Sequence, residues 1–165
     1  MNTIIIYFSG SGSTRIVANT LSENLSTDLI EIKDLKSRKG FLGNVISGVD
    51  AFRENKTRIF PETIDLEDYN LIYFGTPTWA GNPSPAIITL IDKCDLQGKD
   101  IVLFATMSNS GGQSAIKRME EKVKNRGARV VESFTLRTKN KSYADLEEDC
   151  INIAKLLDLN LFNQN

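Results

Sequence analysis

The sequence contains no histidine. Serine–histidine–aspartate and cysteine–histidine nucleophile systems are therefore excluded, as is every metal site built on imidazole. Two cysteines, Cys94 and Cys150, are too few for a zinc tetrad or a disulfide framework, and we expect buried, unreactive thiols. We predict no catalytic side chain and no metal ligand, so any chemistry has to come largely from a bound group.

Net charge and long apolar runs are also scarce. The formal net charge of −1 over 165 residues offers no field that would attract nucleic acid or an anionic membrane. The apolar run at residues 4–8 is short and has no basic flank, so it resembles neither a secretory signal nor a membrane span. We expect a cytoplasmic protein with one globular domain over residues 1–165.

The apolar segments that are present predict a layered α/β fold. Residues 4–8, 71–74 and 101–105 are short and continuously apolar, as central parallel strands are, whereas residues 29–32 and 130–136 mix in polar residues, as edge strands do. Helical spacing follows in residues 15–25, 116–123 and 146–157, with Gly127 as a helix stop and Pro83 and Pro85 suited to a first turn. Strands that alternate with helices predict a doubly wound parallel sheet with helices on both faces.

Each of the three most apolar strands leads into a loop of small, polar residues. The first loop consists of Ser9, Gly10, Ser11, Gly12, Ser13 and Thr14; the second loop of Thr76, Pro77, Thr78, Trp79, Ala80, Gly81 and Asn82; the third loop of Thr106, Met107, Ser108, Asn109, Ser110, Gly111 and Gly112. Because ligands bind at the carboxyl ends of the strands in such a sheet, we expect the three loops to be neighbours.

Together the three loops predict a mononucleotide site. The first loop can cradle a phosphate with glycine-exposed amides, hydroxyls and the positive end of a helix dipole. Trp79 can stack on a flat heterocycle, and the third loop can hydrogen-bond the polar edge of such a ring. Each loop also has a simpler interpretation: an ordinary Ser/Gly turn, a tryptophan that anchors packing, and a polar turn.

These motifs resemble those of the flavodoxin family. Ser-Gly-Ser-Gly-Ser-Thr at residues 9–14 is similar to its phosphate loop, and Gly-Thr-Pro-Thr-Trp at residues 75–79 is similar to its flavin-stacking loop. The resemblance implies a five-stranded sheet in the order 2-1-3-4-5 and non-covalently bound FMN. It also implies that the first loop holds the phosphate, that the second loop lines the ring with Trp79 stacked on it, and that the third loop contacts the pyrimidine side.

The resemblance further implies an electron carrier that serves redox partner proteins, with an FMN-dependent reductase for a nicotinamide or quinone as the alternative and a binding module without turnover as a third. Two departures weaken the pure carrier role: residues 107–112 contain no second aromatic, and the chain is nearly neutral.

By the same resemblance, the Ala80–Gly81 peptide is a candidate for a backbone flip that offers a carbonyl to the protonated ring. Either a monomer or a homodimer is compatible with these features.

A basic segment lies between the second and third predicted strands. Residues 33–58 carry seven lysines and arginines around apolar residues whose spacing predicts a helix over residues 42–53. This segment is interpreted either as an ordinary crossover helix with a solvated basic face or as a contact for a partner or phosphorylated substrate. Arg15, one residue past the first loop, either reaches the phosphate or faces solvent.

Overall fold

The computed structural model describes residues 2–35 and 56–162, with side chains through residue 158. Its strands are β1 (Thr3–Phe8), β2 (Asp28–Asp34), β3 (Ile59–Phe60), β4 (Leu71–Trp79), β5 (Asn82–Pro83), β6 (Asp100–Met107) and β7 (Arg129–Arg137). Its helices are α1 (Ser13–Leu25), α2 (Pro85–Lys93), α3 (Gly112–Asn125) and α4 (Tyr143–Phe162).

Five parallel strands form the sheet in the order β2-β1-β4-β6-β7, which confirms the predicted doubly wound arrangement. The two-residue strands β3 and β5 were not predicted; they pair antiparallel with β2 and β4. A segment of two residues carries no period-2 pattern, so it leaves no signal in the sequence. Its pairing is set by the chain that surrounds it.

Side chains of β1 alternate between two separate parts of the core. Ile4, Ile6 and Phe8 pack with apolar residues of α2 and α3, whereas Ile5 and Tyr7 pack with those of α1 and α4. Because successive side chains of a strand point to opposite faces, a strand that is buried at every position must be covered on both sides. This arrangement confirms the predicted helices on both faces of the sheet.

The helix boundaries agree with two of the three predicted signals. Pro85 lies in the first turn of α2, and the Ser84 side chain caps that helix by accepting a hydrogen bond from the Ile87 amide (3.3 Å). Gly127 follows α3 at a φ of 80°, as a helix stop requires. The prediction for Pro83 was wrong, because Pro83 lies in β5, opposite Thr78, and not in the helix.

The predicted helix over residues 42–53 lies outside the described residues, as does most of the basic segment; Lys56 and Arg58 are described and are exposed. Among the helices that the structure describes, none combines the length and the apolar character needed to cross a bilayer.

Both cysteines are buried and unpaired, as predicted. Burial raises the pKa of Cys94 to about 11 and that of Cys150 to about 12. Each side chain is therefore a neutral thiol at physiological pH, and thiols are poor nucleophiles and poor metal ligands. Both thiols pack in the core.

Gly75 leaves room for the Phe104 ring on the neighbouring strand. It lies opposite Phe104 in the pairing of β4 with β6, and a methyl group at residue 75 would lie 2.1 Å from Phe104 Cζ. The Phe104 ring is itself stacked on Phe134, with centroids 5.5 Å apart and an interplanar angle of 6°. No room remains for a side chain at residue 75 unless this pair of rings moves.

We expect Gly75→Ala to destabilise the fold by about 1–3 kcal/mol, because the added methyl group would overlap the Phe104 ring and displace it. Urea unfolding followed by circular dichroism measures the change in midpoint. Phe104→Leu makes room at the same place, so the double variant should lose less than the sum of the two single losses. A midpoint equal to wild type for Gly75→Ala alone would contradict this account.

Candidate functional site

The three loops meet at the carboxyl edge of the sheet. The hydroxyls of Thr14 and Thr106 share a hydrogen bond of 2.8 Å in the buried interior, which joins the first loop to the third. Gly10 lies against the Trp79 ring so closely that an added Cβ would be 3.2 Å from Cζ2, which joins the first loop to the second.

The second and third loops also touch each other. A Cβ added to Gly111 would lie 2.9 Å from the Cα of Gly81, so the two backbones are in direct contact and glycine is required there. All three loops are thus in mutual contact, which confirms the expectation that they are neighbours.

The first loop presents backbone donors at the N-terminus of α1. Gly12 adopts a left-handed φ of 102° and caps the helix without a side-chain hydrogen bond. The Ser9 hydroxyl accepts the amides of Gly12 (3.1 Å) and Arg15 (3.3 Å), so Ser9 braces the loop from within. The other first-turn amides, those of Ser13 and Thr14, remain as donors beside the positive end of the helix dipole.

Arg15 forms an ion pair with Glu31 of β2, which holds its positive charge beside that strand. Its guanidinium donates two hydrogen bonds to the Glu31 carboxylate, at 2.6 and 3.2 Å, and half of its side chain is exposed. This pairing raises the pKa of Arg15. Of the two interpretations of Arg15, the solvent-facing one agrees with the structure, and the donors of the first loop are neutral.

The second loop is more ordered than the sequence suggests. Residues 76–79, predicted as loop, are the end of β4, and their pairing with β6 continues to Pro77 opposite Thr106. Thr76 is fully buried, and its hydroxyl accepts the Ser84 amide at 2.8 Å. The Thr76 hydroxyl is thus bonded to the N-terminus of α2. The residues of the second loop that face the carboxyl edge of the sheet begin after Thr76.

A tight turn at Ala80 and Gly81 ends β4. Both residues have positive φ, 49° and 77°, as a two-residue type I′ hairpin turn requires, and this turn pairs β4 with β5. Asn82 Nδ2 donates a hydrogen bond to the Ala80 carbonyl (3.0 Å). Arg118 of α3 in turn donates from Nη1 to Asn82 Oδ1. Arg118 is remote in sequence, and no local pattern predicts this contact.

Trp79 is half-buried between the core and the loop edge. Its ring meets Phe8 edge-to-face, with centroids 5.7 Å apart and an interplanar angle of 86°. It therefore packs against the core, as the simpler interpretation of this residue holds, although the residue is only partly buried. Stacking of Trp79 on a ligand stays a prediction.

The third loop is fixed by the segment after β7. The Met107 carbonyl accepts hydrogen bonds from the amide (2.8 Å) and the hydroxyl (3.2 Å) of Thr138, and the Ser108 carbonyl accepts the Lys139 amide (3.3 Å). Gly111 then caps α3 at a φ of 90° and makes no side-chain hydrogen bond to the helix. The supporting role of Thr138 was not predicted, because its contacts depend on the alignment of β7 with β6.

The site has the properties that a phosphorylated planar ring needs. None of the residues of the three loops is acidic or basic, so their donors are amides and hydroxyls. Thr78 Oγ1 is buried and has no hydrogen-bond partner among the described residues, although most buried hydroxyls have one. Amide donors at a helix N-terminus, an unsatisfied hydroxyl and an aromatic ring fit a flavin with a phosphate tail. Within the described parts of the chain, no three His, Cys, Asp or Glu residues are grouped to hold a metal ion.

Comparisons with known proteins point to one family. The family model described as Flavodoxin matches residues 2–147. A flavodoxin of Nostoc sp. (strain PCC 7120) is 24% identical over 135 residues, which covers 77% of this chain and 66% of the relative, slightly less than two thirds of its length.

Solved structures share the fold. A Bacteroides eggerthii protein described as a flavoprotein aligns with a TM-score of 0.76 at 22% identity and covers 96% of this chain and 97% of its own. A flavoprotein of Lactobacillus acidophilus was crystallised in complex with FMN. It aligns with a TM-score of 0.66 at 24% identity and covers 81% of this chain and 92% of its own. With the loops in place and the family model spanning most of the sequence, this chain belongs to the flavodoxin family.

Proposed function

We propose that this protein binds FMN non-covalently between the three loops and passes electrons between redox partners. The observation that carries the proposal is the mutual contact of a helix N-terminus whose N-cap residue is glycine, a tryptophan-bearing hairpin and a polar loop at one sheet edge. Membership of the flavodoxin family and the FMN in the Lactobacillus acidophilus neighbour support the choice of cofactor. We also propose that the protein is cytoplasmic and that its partners are larger redox proteins.

Each of the three loops would bind a different part of FMN. The amides of Ser13 and Thr14, with the Thr14 hydroxyl, would hold the phosphate. Trp79 and the Ala80–Gly81 turn would lie along the ring, and the third loop would bond its pyrimidine side. Bound FMN supplies the redox chemistry, and the chain supplies position, exclusion of water and electrostatics.

The neutral donors of the first loop affect the reduction potential. A phosphate held by amides and hydroxyls keeps most of its negative charge, because Arg15 is paired with Glu31. A negative charge close to the ring disfavours the gain of further negative charge on reduction. We therefore infer that this site lowers the potential of FMN relative to FMN in water.

A reductase is the second candidate, and one feature favours it. The third loop has no aromatic residue to cover the flavin face opposite Trp79, so a small nicotinamide or quinone could approach that face. Hydride transfer requires such direct access, whereas a carrier needs only an exposed ring edge. We favour the carrier because nothing in the sequence indicates a nicotinamide site.

FMN added to the purified apoprotein should bind, with quenching of flavin fluorescence and a protein-bound visible spectrum. Thr14→Val should weaken FMN binding about tenfold or more, because a hydrogen bond to a charged phosphate is worth about 1.5–3 kcal/mol. Riboflavin lacks the phosphate but depends on the same bond between Thr14 and Thr106, so its affinity should fall less than that of FMN.

Thr20→Val is the matched control for this titration. Thr20 is on the same helix and is buried, but its hydroxyl bonds only to the Ile16 carbonyl (2.9 Å) within the helix. It should bind FMN as wild type does. A wild-type protein that stays colourless in excess FMN would refute the cofactor assignment, and equal losses for FMN and riboflavin in Thr14→Val would refute the phosphate role.

Gly81→Ala should shift the one-electron reduction potentials of bound FMN more than it changes FMN affinity, because the left-handed turn would lose freedom to reorient. Potentiometric titration and fluorescence binding measure the two effects. Gly98→Ala is the control: Gly98 has a similar φ of 73° and an added methyl there meets nothing within 4 Å. Potentials that are identical in wild type and Gly81→Ala would dispose of this role.

Reduction experiments separate the carrier from the reductase. We expect mediated photoreduction of the FMN-loaded protein to proceed in two resolved one-electron stages, and we expect NADH and NADPH to bleach the flavin no faster than they bleach free FMN. Stopped-flow absorbance measures both. Rapid bleaching by either nucleotide, in a single two-electron stage, would replace the carrier with the reductase.

A further inference from the structure

The Ala80–Gly81 turn is held from outside the second loop by a side chain of α3. Arg118 Nη1 donates to Asn82 Oδ1, and Asn82 Nδ2 donates to the Ala80 carbonyl at 3.0 Å. Asn82 is 4% exposed, so its side-chain amide is almost shielded from water. Both the oxygen and the nitrogen of that amide are hydrogen-bonded. Arg118, Asn82 and Ala80 thus form one hydrogen-bonded chain, which we name the turn brace.

The turn needs such support because its backbone is unfavourable. Ala80 has a φ of 49°, in the left-handed region that is unfavourable for a residue with a side chain. Conformations of this kind persist where the surroundings determine them, and they concentrate at ligand sites. A hydrogen bond from a cation polarises the Asn82 amide and so strengthens the bond that Asn82 donates to Ala80.

The turn brace also connects the second loop to the third. Arg118 belongs to α3, and Gly111 of the third loop is the N-cap residue of that helix. Gly111 in turn lies against the Gly81 backbone, where an added Cβ would be 2.9 Å from the Gly81 Cα. The same helix therefore contacts the turn from two directions, through its N-cap residue Gly111 and through the side chain of Arg118, about two turns further along.

We propose that Arg118 is a positioning residue for FMN: acting through Asn82, it holds the Ala80–Gly81 turn in the orientation in which the second loop receives the flavin ring. Arg118 itself need not touch the cofactor. This inference rests on the proposed function, since it concerns the same site, but the turn brace exists in the apoprotein and is testable there.

The first test measures the turn in the apoprotein by amide hydrogen exchange in NMR spectra. Arg118→Gln should speed exchange of the Asn82 backbone amide and of the Asn82 side-chain amide about tenfold or more, because a charge-assisted hydrogen bond is lost. Lys117→Gln is the matched control, since it removes one positive charge from the neighbouring, exposed position of the same helix. Its exchange rates at the turn should equal those of wild type.

The second test asks whether Arg118 acts through Asn82, with FMN affinity and reduction potential as readouts. Arg118→Gln should weaken FMN binding about tenfold and shift the potential, whereas Lys117→Gln should do neither. In an Asn82→Ala background, Arg118→Gln should add nothing further, because the link is already broken. Arg118→Lys, which keeps the charge and one donor, should restore most of the affinity.

Two results would overturn the proposal. One is additive effects of Arg118→Gln and Asn82→Ala on FMN affinity, which would mean that the two residues act separately. The other is equal shifts of potential for Arg118→Gln and Lys117→Gln, which would mean that charge alone matters. A wild type that binds no FMN would instead refute the proposed function, and the exchange rates at the turn would still decide whether the brace holds it.

Discussion

Parallel pairing of β1, β4 and β6 is the constraint on which the site depends. These strands are buried on both faces, so their register is fixed by packing, and their carboxyl ends must lie side by side. Three loops that are far apart in sequence are thereby brought into contact, and the buried hydroxyl pair of Thr14 and Thr106 joins the outer two. The loops can consist of small and flexible residues because the sheet, and not the loops, sets their positions.

The electrostatic character of the site follows from what is paired elsewhere. Arg15 lies within one residue of the first loop, yet its guanidinium is bonded to Glu31 on the neighbouring strand. The Ser9 hydroxyl accepts hydrogen bonds from the amides of Gly12 and Arg15. The remaining donors at the N-terminus of α1 are neutral, so the helix dipole is the main source of positive potential there.

The sequence predicted the scaffold better than the fine structure of the site. Continuous apolar runs identified β1, β4 and β6, because burial on both faces leaves a strong signal, and glycine and proline marked two helix ends correctly. The extension of β4 through residues 75–79 was missed, because Gly, Pro and Thr are typical of loops; there β4 is held by pairing with β6. Contacts made by Arg118 and Thr138 were also missed, since they join residues 36 and 31 positions apart in the chain and leave no local pattern.

The two cysteines have a practical consequence for work on this protein. Each sulfur is enclosed by the core, Cys94 on the side of α2 and Cys150 on the side of α4, and each is held in its protonated form. Alkylating reagents can reach them only when the corresponding layer opens. Labelling rates at the two positions therefore report the separate opening of the two helical layers, without any engineered probe.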